Sequence, residues 1–128
     1  MITPESIIAD LDFALAEAGE NVTLRRNAGT QLIPFDVENI KAIMRGYAAS
    51  ELVGEITQQD QSFILSPTEI NRYQWPGFRT GTTSAIDDRV PRKNDIIISS
   101  RGKLTVQAAT GIYVQNVLVR IEGRARGN

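Results

Sequence analysis

The last third of the chain leaves the fewest choices. From Asp95 to Ile121 it runs as three extended apolar segments, Asp95–Ser100, Lys103–Ala109 and Ile112–Ile121, separated by Arg101-Gly102 and Thr110-Gly111. Connections this short admit antiparallel neighbours and exclude parallel ones, which need a long crossover. Leu104, Val106 and Ala108 fall on one parity while Lys103, Thr105 and Gln107 fall on the other, so one face of that strand is expected dry and the other wet. In Ile112–Ile121 apolar residues occupy both parities, which fits a central strand or a bulge near Asn116. The expectation is an antiparallel meander over 93–123, followed by a short basic tail, 124–128.

Upstream the period changes. Thr3-Pro4-Glu5 is a helix start, with a capping hydroxyl, a proline suited to the first helical position and an acid at the positive end of the dipole. Ile7, Ile8, Leu11, Ala14, Leu15 and Ala18 then recur at helical spacing until Gly19. This predicts an amphipathic helix over 1–19 with an acidic outer face. Residues 20–73 read as strands. Val22 and Leu24 alternate with Thr23 and Arg25, Asn27-Ala28-Gly29-Thr30 breaks the run, and Phe35–Ala48 resumes it; Ile40, Ile43, Met44 and Tyr47 also fit a helical period there, with strand favoured by the setting. Asp60–Ser66 is a further strand stopped by Pro67, where Pro67–Ile70 suits one helical turn.

With 128 residues the chain is sized for one domain. One helix and about six strands without internal repeats predict a mainly β fold, a small antiparallel β-barrel or sandwich with an N-terminal α-helix and a long flexible loop. That loop is 74–92, which carries Pro76, Pro91, two glycines and a Thr/Ser cluster and is longer than ordinary connections in a compact domain. It holds the sole Trp of the chain, Trp75, beside Phe78 and Arg79, residue types that dominate binding hot spots. An interface loop, with Arg89 and Arg92 at its far end, and a Trp75 tucked into the core are both open readings.

The chain has no cysteine and no histidine. Disulfides, thiolate zinc sites, Ser-His-Asp and Cys-His catalysis are thereby excluded. Asp87-Asp88 with Asp60, or Asp10 with Asp12, are the carboxylate pairs one might draw as a metal or acid/base site. Asp10 and Asp12 point about 200° apart on a helix, so caps, turns and solubility explain these acids better, and neither an enzyme nor a cofactor is expected. The start, Met1-Ile2-Thr3-Pro4-Glu5, lacks the basic end and apolar run of a secretory signal, and no stretch reaches the ~18 apolar residues of a membrane span. Synthesis in the cytoplasm and no membrane partner are expected.

A net charge of −1 conceals a division along the chain. Residues 1–88 hold six basic and thirteen acidic side chains, while 89–128 hold eight basic and two acidic. Such segregation suits an anionic partner, or assembly in which one subunit's acidic face meets the next one's basic face, or a fold that mixes both halves over one surface. Arg101, Lys103, Arg120, Arg124 and Arg126 are candidates for lining a DNA channel, for contacting a subunit or partner, or for a plain solvated face. Tyr113 is the sole aromatic after Phe78, so a base-stacking platform is lacking.

From Glu51 onward the order of features resembles a known family. "ELVGEITQQDQSFILSPTEI", a variable loop, and "VPRKNDIIISSRGKLTVQAATGIYVQNVLVRIEGRARGN" are similar to small neck proteins of tailed bacteriophages, the head-tail joining, head-completion or head-closure group. The matching features are Ser66-Pro67, Pro91, Asp95, Gly102, Thr105 to Ala108, and Val119 to Gly123; Glu122 departs from the neutral or basic residue expected there. The resemblance implies a structural connector subunit of a phage or prophage, made in the bacterial host cytoplasm and placed in the virion neck. Its implied partners are itself, in a six-fold or twelve-fold ring, the portal or adaptor protein of the head, and a tail protein, with packaged DNA nearby. A nucleic-acid-binding β-barrel module, or another tail protein such as a terminator, is the alternative.

Overall fold

The computed structural model describes residues 2–26, 35–46, 60–73, 75, 89–100 and 102–127. They form α1 (Pro4–Ala18), β1 (Glu20–Arg26), β2 (Phe35–Gly46), β3 (Asp60–Leu65), α2 (Pro67–Arg72), β4 (Ile96–Ser99), β5 (Gly102–Val114) and β6 (Val117–Gly127). The six strands close into a barrel in the order β1-β2-β3-β6-β5-β4, each antiparallel to both neighbours. Barrel, rather than sandwich, is therefore the architecture. Closure pairs β1 with β4 and leaves no edge over the paired length of the strands.

Each helix starts on its own sequence. Thr3 caps α1 through a reciprocal pair of bonds with Ser6, whose backbone N–H donates to the Thr3 hydroxyl at 3.1 Å while the Thr3 N–H donates to the Ser6 hydroxyl at 2.9 Å. Ser66 caps α2 through a single bond, its hydroxyl accepting from the Thr68 N–H at 3.2 Å, with Pro67 in the first position. The Thr68 hydroxyl then donates to Asp12 at 2.6 Å, tying α2 to α1. α1 packs chiefly on β6 and β2, burying Leu15.

Inside the barrel lie Val22, Leu24, Val37, Ile40, Ala42, Phe63, Leu65, Ile97, Leu104, Val106, Ile121 and Ala125. The mixed periodicity of β2 has a local cause. Val22 pairs with Ile40 and Leu24 with Val37, so one residue of β1 faces two of β2, and Asn39 takes the left-handed conformation at φ 62°. This bulge resets the parity, letting Val37 and Ile40, three residues apart, both point inward. Beyond the bulge the alternation is regular, with Ile40, Ala42 and Met44 toward the core, so the segment through Ile43 and Met44 is strand and not helix.

Two boundaries of the expected meander are corrected. Thr110-Gly111 is not a turn; β5 runs through it, and the chain reverses at Gln115 and Asn116, both left-handed at φ 51° and 64°, as a tight two-residue hairpin turn demands. Residues 124–127 are not a tail but the end of β6, paired with β3 and β5. Ala108 also leaves the dry face assigned to it, because the register skips Gln107 between Val106 and Ala108 and turns Ala108 outward. The Arg101 corner, the break at 27–30 and most of the 74–92 loop lie outside the described residues.

Gly123 shows how tightly the sheet closes. A Cβ there would run into the Phe63 ring and sit 2.5 Å from the Ala108 carbonyl oxygen. Gly123→Ala is expected to destabilise the barrel by about 1–3 kcal/mol through overpacking, measured by urea unfolding; an unchanged midpoint would show that Phe63 yields freely.

Candidate interaction surface

The basic residues singled out by the sequence are largely engaged within the fold. Asp60, with no exposed surface, sits opposite Arg126 across the β3–β6 ladder. Arg126 donates from Nε to Oδ1 at 2.7 Å and from Nη2 to Oδ2 at 3.3 Å, and Arg124, two residues back on the same face, donates to Oδ2 at 3.1 Å. Arg120 pairs with Glu122 at 2.6 Å. Arg89 donates to Asn71 at 3.1 Å. Lys103 and Arg92 are exposed, and Phe78, Arg79 and Arg101 lie outside the described residues.

A second charged cluster was not legible in the sequence. Arg26, the last residue of β1, faces Asp95 just ahead of β4 and donates to it from Nη2 at 2.8 Å and from Nε at 3.2 Å. The same guanidinium donates to the Val90 carbonyl at 3.2 Å and lies 4.6 Å from the centre of the Trp75 ring, within cation–π range. Trp75 is fully buried. Of its two open readings, the core placement is correct and the exposed interface anchor is not. One arginine thus ties together both ends of the 74–92 loop. At the rim, Arg25 chelates Asp36 through two 2.9 Å bonds, and that hydrogen bonding raises a guanidinium pKa already far above neutrality.

These pairs cross the charge division. Asp60 comes from the acidic part of the chain and its cations from the basic part, while Arg26 and Asp95 reverse the order. Antiparallel pairing of β3 with β6 and of β1 with β4 brings them together, so segregation in sequence becomes neutralisation in space. The Asp60 carboxylate is held by arginines, and among the described residues no cluster of three or more Asp, Glu, His or Cys is placed to hold an ion. Asp12 holds Thr68, and Asp87 and Asp88 lie outside the described residues.

No protein-family model, curated protein or solved structure matches this chain. The surface itself therefore carries the functional argument.

Its distinctive parts are apolar. The β5–β6 hairpin outruns the barrel: β4 pairs with β5 only up to Thr105 and β3 with β6 only down to Ile121. Backbone bonds from Asn94 to Val106 and from Val106 to Asp95 extend the contact by a residue. Beyond it, from Gln107 to Val114, β6 is the one strand paired with β5 among the described residues. This projecting part carries Ile112, Tyr113 and Val117 exposed, Tyr113 at 46%. Along its open edge runs a groove of about 450 Å³ between the 90–93 segment and β5, with Val90, Pro91, Ala109, Gly111 and Tyr113 in its walls and Lys93 at its rim.

The other apolar feature is Phe13, 70% exposed on α1. It stands about 200° around the helix from Leu11 and from Leu15, in the middle of the expected acidic outer face. Ala9, Asp10, Ala16 and Glu17, all exposed, surround it. A wheel drawn over Pro4–Ala18 would have revealed it; the apolar stripe alone did not.

Proposed function

We propose that this chain is a non-catalytic assembly subunit, and that its assembly is the ring of a tailed-phage neck, bridging the DNA-filled head and the tail. The observation that carries the reading is the β5–β6 hairpin, which extends past the barrel with an apolar end and a backbone edge that no other strand pairs among the described residues. An unpaired edge of this kind is a template for association unless it is covered. Phe13 presents a second, different patch on another element, and two unlike patches suit head-to-tail contacts that close into rings. The resemblance over residues 51–128 names the setting.

Charge disfavours the nucleic-acid module as the primary role. Arg124 and Arg126 share the Asp60 carboxylate, and phosphate binding depends on cations whose charge is available. Two experiments test the proposal. The genetic locus is expected to lie among portal, capsid and tail genes, and a setting without virion genes would overturn the neck reading. Duplex DNA titrated with the purified chain over a range of salt is expected to bind weakly with a shallow salt slope; tight binding that falls steeply with salt would make the nucleic-acid module the better account.

A further inference from the structure

We infer that the groove along the open edge of β5 receives α1 of a second copy of this chain, with Phe13 as the inserted side chain. The inference rests on the assembly reading above and specifies its contact.

Three observations meet here. The first is order across the molecule. α1 packs on the β6 side of the hairpin, where Arg120 lines the cleft beside it, while the groove lies along the opposite, β5 side. A subunit therefore presents helix, β6, β5 and groove in succession. Setting the next copy's helix into that groove repeats the series, which is a heterologous contact that closes when the rotation per subunit divides a full turn. The second is shape. Phe13 is a single large side chain flanked by Ala9 and Ala16, one turn away on either side. Small neighbours let the helix approach closely enough for the ring to enter the groove, whose walls offer Val90, Pro91 and Tyr113. The third is charge. Asp10 and Glu17 border Phe13, whereas Arg92 and Lys93 border the groove, both exposed. Opposite signs at the rims favour this pairing and disfavour helix against helix. Here the acidic–basic division of the chain survives folding, since neither Glu17 nor Lys93 belongs to the Asp60 or Arg26 clusters.

The absence of native cysteine makes the contact directly testable. Ala9→Cys and Thr110→Cys, both at exposed positions, are prepared as separate proteins and mixed with a short bis-maleimide. Cross-linking is expected in the mixture, and little with either variant alone. Light scattering on the otherwise native chain is expected to show association that Phe13→Asp weakens about tenfold or more, the loss typical of a buried aromatic anchor. Melting checks that the variant remains folded, as its exposure leads one to expect. Glu17→Lys is expected to weaken association and Lys93→Glu, in the same chain, to recover it. If the native chain assembles but the mixture does not cross-link, or Phe13→Asp assembles unchanged, this contact is wrong while the assembly reading stands. If the native chain remains monomeric at every concentration, the contact and self-assembly both fall.

Discussion

Arg26→Met is expected to destabilise the protein by about 3–5 kcal/mol, the cost of breaking a buried ion pair from one side. Both partners are sequestered, with side-chain exposures of 10% for Arg26 and 7% for Asp95. Methionine fills much of the volume but leaves a buried carboxylate without its guanidinium. The Arg92 backbone N–H still donates to Asp95 at 2.7 Å, one bond against a full positive charge. The Val90 carbonyl and the Trp75 face lose the same cation. Against a total stability of roughly 5–15 kcal/mol this is a large fraction, readable in urea unfolding. Arg26→Met combined with Asp95→Leu is expected to regain much of the loss, because an apolar pair can replace a buried ionic one at little cost. Trypsin supplies an independent reading. Arg89 and Arg92 lie in the segment that Arg26 retains, so cleavage there should accelerate in Arg26→Met and remain slow in the native chain. A single variant as stable as the native protein would mean that the cluster decorates the loop without holding it.

The second large effect concerns Asp60, and its size depends on which partner is removed. Asp60 is fully enclosed, whereas Arg124 and Arg126 are 17% and 34% exposed at their side chains. Replacing both arginines by methionine leaves a buried charge facing apolar groups, and a loss of about 3–5 kcal/mol is expected. Asp60→Asn retains the shape and a hydrogen-bond acceptor and leaves two cations that reach water, so its cost should be distinctly smaller. The comparison of unfolding free energies decides the matter. Equal losses for the two variants would show that arginine charge is as trapped as the carboxylate.

Much of the architecture was written locally. Thr3-Pro4 and Ser66-Pro67 start helices because a capping hydroxyl and a proline act within one turn. Val22 and Leu24, or Leu104 and Val106, mark a dry strand face because alternation is a property of the strand alone. Mainly β structure with one N-terminal helix followed from that. What failed did so where backbone conformation breaks the alternation. The Asn39 bulge puts Val37 and Ile40, three residues apart, on one face, and the skipped Gln107 turns Ala108 outward. The hairpin turn lies at Gln115-Asn116 rather than at the glycine of Thr110-Gly111, since asparagine too enters the left-handed region.

The candidate site divides along the same line. Phe13 stands on the outer face of the α1 helical wheel but does not belong to the apolar stripe that marks the helix, and Arg92 and Lys103, both interface candidates, are exposed. Trp75, Arg124 and Arg126 could not be assigned from their neighbours in sequence, because what they touch is distant along the chain: Arg26 for Trp75, and Asp60 for the two arginines. Sequence by itself determined the element types, the absence of thiol and imidazole chemistry, and an acidic beginning set against a basic end. Only the tertiary structure decided that β3 lies against β6 and β1 against β4. Those long-range pairings bring opposite charges together in the ladder and, among the described residues, leave the edge of β5 beyond Val106 paired with β6 alone, with Ile112, Tyr113 and Val117 exposed beside it.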